Sequence, residues 1–82
     1  METRKVLEVI RIAPGESDQF ARRYDSKSRT KWDYSIDVPE DARHMVDTKR
    51  TKTGTAESGL DQLFIHNRSS SVAVVTIFEF EE

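Results

Sequence analysis

The sequence predicts an all-β fold: a small antiparallel β-sandwich of about six strands, forming one domain over residues 1–82. Three observations lead there. Trp32, Tyr34, Ile36 and Val38 take every second place of residues 30–38, with Lys31, Asp33, Ser35 and Asp37 between them, and period two is the repeat of a half-buried strand. Residues 71–80 are apolar in both alternating sets, Val72, Val74, Thr76, Phe78 and Phe80 against Ala73, Val75 and Ile77. Turn chemistry separates such runs at Pro14-Gly15, Val38-Pro39 and Asn67-Arg68-Ser69-Ser70-Ser71.

The first strand is expected over 5–13, with Leu7 and Val9 on one face and Val6, Ile10 and Ile12 on the other, rich in the β-branched residues that suit a pleated surface. It stops at a type II turn over 13–16, because proline presets φ at the second turn position and glycine accepts a positive φ at the third. Residues 17–24 read as a strand in which Phe20 and Tyr24 alternate with polar residues. The alternative is a helix capped by Ser17, with Phe20, Ala21 and Tyr24 on one face. The neighbouring turn and the polar loop 25–29 favour a short meander into strand 30–38.

Pro39 ends that strand, since proline cannot donate to a ladder. Pro39-Glu40-Asp41-Ala42 has the residues of a first helical turn, but a short strand with Ala42, His44, Val46 and Thr48 on one face is preferred, because nothing after it continues or caps a helix. If 17–24 and 39–48 were both helical, the fold would be α+β. Residues 49–59 read as a flexible polar loop. Strand 60–66 follows, with Leu63 and Ile65 opposite Phe64, and 67–71 is a turn that makes strands 60–66 and 71–80 the best hairpin candidate. Trp32, Ile36, Phe64, Val74 and Phe78 are the expected core.

A chain of 82 residues buries only roughly 60–65% of its unfolded surface, and no cysteine is present to staple it. The apolar share of 35% against 34% charged leaves a thin core, which suits a marginal monomer or a subunit completed by others. Net charge is −2, which argues against a surface positive all over, as general nucleic-acid binders have. Charge is nonetheless uneven. Arg43, Lys49, Arg50 and Lys52 face only Asp47 over 42–56, while Arg68 alone faces Glu57, Asp61, Glu79, Glu81 and Glu82 over 57–82. The first five residues are charged with no apolar segment behind them, and no stretch nears the about 20 apolar residues that span a bilayer. The expected location is the cytoplasm, or a virion, without export or membrane contact.

No pattern of residues points to catalysis. There is no cysteine, no Ser in a strained elbow, and Ser69 to Ser71 read as turn residues. Asp33 and Asp37 share the wet face of a strand, the ordinary place for alternating charge. His44 and His66, even joined by Asp47 or Asp61, fall short of a clustered set of metal ligands, so no cofactor is expected. Gly54 and Gly59 lack phosphate-cradle spacing. Asn67-Arg68-Ser69 matches a glycosylation acceptor by chance. The run Lys49-Arg50-Thr51-Lys52, joined by Arg22, Arg23, Lys27, Arg29 and Lys31 if the loops gather at one end, is a candidate phosphate contact, set against its lack of interleaved aromatics.

The succession Ala13-Pro14-Gly15-Glu16-Ser17, Lys31-Trp32-Asp33-Tyr34-Ser35-Ile36, Leu63-Phe64-Ile65-His66-Asn67-Arg68-Ser69 and Val72-Ala73-Val74-Val75 resembles, at the level of pattern, small jelly-roll and GOLD-like β-sandwich modules of the virion-accessory type. That resemblance implies a binding or assembly role without chemistry, and a virus or phage accessory protein as the nearer analogy. The expectation is thus a non-enzymatic structural or binding module that self-associates through Val72, Val74, Thr76, Phe78 and Phe80. The alternative is a small inhibitor or adapter that docks on a host enzyme or nucleic-acid complex through a basic loop carrying Arg43, Lys49, Arg50 and Lys52. A protein partner or a second copy is expected; a small-molecule substrate is not.

Overall fold

Six strands and one short helix follow one another in the computed structural model, which describes residues 4–81. Met1 to Thr3, part of the charged amino-terminal stretch, and Glu82, the end of the acidic tail, lie outside the described residues. The elements are β1 (Arg4–Ile12), β2 (Ser17–Asp25), β3 (Thr30–Asp37), a 3₁₀ helix (Glu40–Met45), β4 (Val46–Gly54), β5 (Ser58–Asn67) and β6 (Ala73–Glu81). All pairings are antiparallel. One sheet has the order β1-β6-β3, the other β2-β5-β4, so the all-β sandwich expected from the alternation is the fold.

The connections differ from those expected. β2 and β3 lie in different sheets, as do β5 and β6, so neither the meander nor the hairpin over 60–80 forms. The chain instead crosses between layers at each of these turns, and the one hairpin of sequence neighbours is β4–β5. The expected loop 49–59 is therefore two strands and a short turn. Thr48, Thr51 and Thr53 supply the β-branched residues that a strand accepts, and the polarity of the run reflects the position of β4 at a sheet edge. The turn before β2 is as expected: Gly15 has φ 81 and the Glu16 amide donates to the Ala13 carbonyl at 3.0 Å.

Residues 40–45 also depart from the expected strand. Ala42 donates to the Pro39 carbonyl at 2.8 Å, the i to i+3 bond of a 3₁₀ turn, and Glu40 and Asp41 stand in its first turn, where carboxylates suit exposed amides.

Both sheets contribute to the core. Ile10, Ile12, Trp32 and Ile77 come from one, Leu63 and Ile65 from the other. On β6 the inward set is Ala73, Val75 and Ile77, all fully buried, while Val74, Thr76 and Phe78 alternate to the outside. Phe64, Val74 and Phe78 thus leave the expected core, and Phe64 is 39% exposed. Where both faces of a strand are apolar, alternation cannot tell which faces in; the smaller, β-branched set fits the narrow interior. In β1 the register slips between Val6 and Glu8. This bulge sends Val6 outward, level with Phe78, and lets Leu7 pack on the core, inverting the faces that simple alternation assigns.

Candidate functional site

Two surfaces concentrate the residues singled out by the sequence. The first is the outer face of the β1-β6-β3 sheet. β6 is hydrogen-bonded on both sides, so its edges are occupied and only its face is open to contact. Register places the outer side chains in rows: Val6, Phe78 and Asp33; Val9, Thr76 and Ser35; Arg11, Val74 and Asp37. Val6 is 59% and Val9 54% exposed. Phe78 and Phe80 lie with ring centroids 6.2 Å apart, and the Arg4 guanidinium sits 4.6 Å from the Phe78 centroid. Val72 precedes β6 in the turn and is exposed. The result is an apolar strip with Arg4 and Arg11 along its β1 flank, and with Asp33 and Asp37 along its β3 flank after Lys31 opposite Phe80.

The second surface is a cleft of about 580 Å³ where β2, β3 and β4 approach one another. The four basic residues expected on one loop are dispersed. Arg43 lies on the 3₁₀ helix, while Lys49, Arg50 and Lys52 lie on β4. Alternation turns Lys49 to the outer face beside Phe64, and Arg50 and Lys52 toward the side of Leu63 and Asp61. Arg50 and Lys52 meet Arg22, Arg23 and Lys31 in the cleft wall. Part of the gathering of basic residues considered from sequence therefore exists, built on strands.

The cleft floor is an ion-paired aromatic knot. Asp61, only 3% exposed, accepts from Arg50 Nη2 at 2.9 Å and Nε at 3.2 Å, the bidentate geometry that makes such pairs strong. The same Nη2 donates to the Trp32 carbonyl at 3.1 Å, tying β4 to the facing sheet. The guanidinium carbon stands 3.8 Å from the Trp32 ring centroid, and Phe20 meets that indole edge-on at 5.0 Å. A second interlayer bridge joins Arg22 to Glu79 at 2.7 Å. Lys52 Nζ lies 5.2 Å from the Tyr24 ring centroid, and the Tyr24 hydroxyl donates to the Thr55 carbonyl. Two donors of the wall, Trp32 Nε1 and Arg22 Nη1, are buried and meet no acceptor among the described residues. The signal for this site was present in the sequence: Arg22 and Asp61 sit in phase with Phe20 and Leu63, a charge on the apolar register of a strand.

The opposite end of the sandwich is held by Asn67. Its side-chain amide donates to the carbonyls of Ile12 at 2.9 Å and Ser71 at 2.8 Å, and its oxygen accepts from the Ser69 amide and hydroxyl. This fully buried side chain is a structural pin, and the acceptor-like triplet is consumed in the fold. His66 on β5 contacts Ser17, His44 lies on the 3₁₀ helix, and no group of three metal-ligating side chains gathers among the described residues. Nor, among them, is any helix long and apolar enough to cross a membrane. Comparison with protein-family models, with curated proteins and with solved structures finds no match.

Proposed function

We propose that this chain is a non-enzymatic assembly module whose copies pair through the outer face of the β1-β6-β3 sheet. The observation behind this reading is the apolar strip of Val6, Val9, Val74, Phe78 and Phe80 on a face that, among the described residues, no other element covers. Contiguous exposed apolar surface rimmed by charge is the mark of an interaction surface. The rim also specifies the occupant. A two-fold axis parallel to β6 lays the β1 flank of one copy over the β3 flank of the other, bringing Arg11 toward Asp37 and Val6 toward Asp33 while Arg4 comes toward Lys31 at the far end, so the charge match that favours an isologous contact lies at the Arg11 end of the face. With β6 in the middle of its sheet, the proposed contact is face to face.

Sedimentation over a concentration series tests this reading. At about 100 µM, well above a micromolar dissociation constant, the expected mass is twice the 9.5 kDa of one chain, and Val9→Glu, at an exposed site outside the core, returns it to one. A wild-type chain that stays a monomer throughout contradicts the proposal.

A further inference from the structure

We propose that the cleft between β2, β3 and β4 binds a small phosphate-bearing ligand with a planar ring, of the size of a nucleoside monophosphate. The volume of about 580 Å³ lies in the range of small-ligand sites, roughly 300–1,000 Å³. Its polar chemistry is that of an anion receptor. Trp32 is 6% exposed, and its Nε1, with Arg22 Nη1, is a donor that the protein leaves without an acceptor. An indole and a guanidinium can only donate, so the group that completes them must accept, and phosphate oxygens do only that at neutral pH. Buried polar atoms without partners are uncommon enough to require a reason, and here two of the same sense, both shielded from solvent, belong to residues that line one cleft.

The cations are prearranged. Asp61 and the Trp32 carbonyl fix the Arg50 fork, and Glu79 fixes Arg22, so little side-chain freedom is lost on binding. Lys52 and Arg23 add charge at the wall, and Tyr24 and Phe80 add rings. The charge balance selects the size of the anion. The wall holds five cations, Arg22, Arg23, Lys31, Arg50 and Lys52, against four carboxylates, Asp25, Asp33 and Asp61 of the wall and Glu79 paired to Arg22, which leaves a surplus of one positive charge. That surplus suits one phosphate group; a nucleic-acid strand, which tight binders hold by about 6–10 phosphate contacts, calls for more. This site shares Lys31, Asp33 and Phe80 with the rim of the paired face, but Arg22, Trp32, Arg50 and Lys52 belong to the cleft alone, so the two are tested separately.

The chain has a single tryptophan, so one indole N–H resonance in a ¹H–¹⁵N spectrum reports on the cleft. Titration of the full chain with AMP is expected to move that resonance to saturation. Inorganic phosphate should move it in the same direction, and adenosine should leave it nearly still. Lys52→Gln, with unchanged spectral dispersion as the check on folding, should weaken AMP binding by about tenfold, as loss of a charge-assisted contact does. Lys49→Gln, the same change on the opposite face of β4, should leave it as it was. An indole resonance unmoved by AMP or phosphate at about 10 mM, far above the affinity of a useful site, overturns the proposal. Equal response to adenosine and AMP overturns the phosphate assignment, as does equal loss in both lysine variants. Tighter, steeply salt-dependent binding of oligothymidylate assigns the cleft to a single strand instead.

Discussion

Asn67 shows how much one buried side chain can hold. It joins the end of β1, the end of β5 and the turn into β6 through four side-chain hydrogen bonds, and alanine would take their partners from the Ile12 carbonyl and the Ser69 amide, while the Ser69 hydroxyl still reaches the Ser71 carbonyl at 3.0 Å. Unpaired buried groups cost roughly 1–3 kcal/mol each before relaxation and entry of water. Asn67→Ala is therefore expected to lower the unfolding free energy by about 3 kcal/mol, read from urea denaturation. In the sequence this residue is indistinguishable from a turn asparagine, because its partners, Ile12 above all, are brought to it only by the tertiary fold. Asp47 acts at the surface. Its hydrogen bond from Arg68, 2.6 Å from Nε, holds the carboxyl below its ordinary range. The unfolded chain therefore binds this proton at higher pH than the folded one, so the stabilisation is present above the ordinary aspartate pKa and fades as pH falls through the depressed value. Acid titration of stability should show a shallower low-pH limb for Asp47→Asn, and added salt should shrink the difference between the two proteins, since the pair is exposed.

At the scale of elements, strand existence was more legible than strand pairing. Period two placed β1, β2, β3, β5 and β6 because each buries one face; which strands become neighbours depends on contacts between residues far apart in the chain, and nothing local encodes those. β4 is read from the sequence only at its first residues, Val46 to Thr48, and its remainder as a loop, for a different reason. As an edge strand with few buried residues, its composition is that of a solvated loop, and its strand character rests on pairing with β5. The bulge at Leu7 likewise leaves no trace in the apolar pattern. The β4–β5 hairpin depends on close backbone approach at its tip: a Cβ built on Gly59 would stand 2.2 Å from the Thr53 carbonyl and 2.8 Å from the Tyr24 hydroxyl. Gly59→Ala must therefore displace backbone and open the hairpin end. A loss of about 2 kcal/mol, within the range for overpacking, is expected in thermal or urea unfolding, together with faster amide exchange near Leu60 and Thr53.

For the whole molecule, two layers of three strands, without a disulfide, leave a narrow margin of stability, and each sheet has two edges. Lysines and arginines on β1 and β4 discourage pairing at those edges, which is consistent with the proposed association through the open apolar strip of the β1-β6-β3 sheet. The candidate surfaces were only half legible in the sequence. The outer residues of β6 stand out in the sequence as a set, though apolar residues on both faces do not tell a central strand from an edge; the cleft shows in its cations but not in its shape, because Arg22, Trp32, Arg50 and Asp61 come from four strands. The claim of face-to-face pairing is tested most directly by disulfide trapping, since the chain has no cysteine of its own. Thr76 lies mid-strand on the outer face of β6, near the proposed two-fold axis, and Gln62 lies on the outer face of β5 in the other sheet. Under mild oxidation Thr76→Cys should trap a covalent dimer quickly and Gln62→Cys should not; equal cross-linking of both, or of neither, would contradict the account.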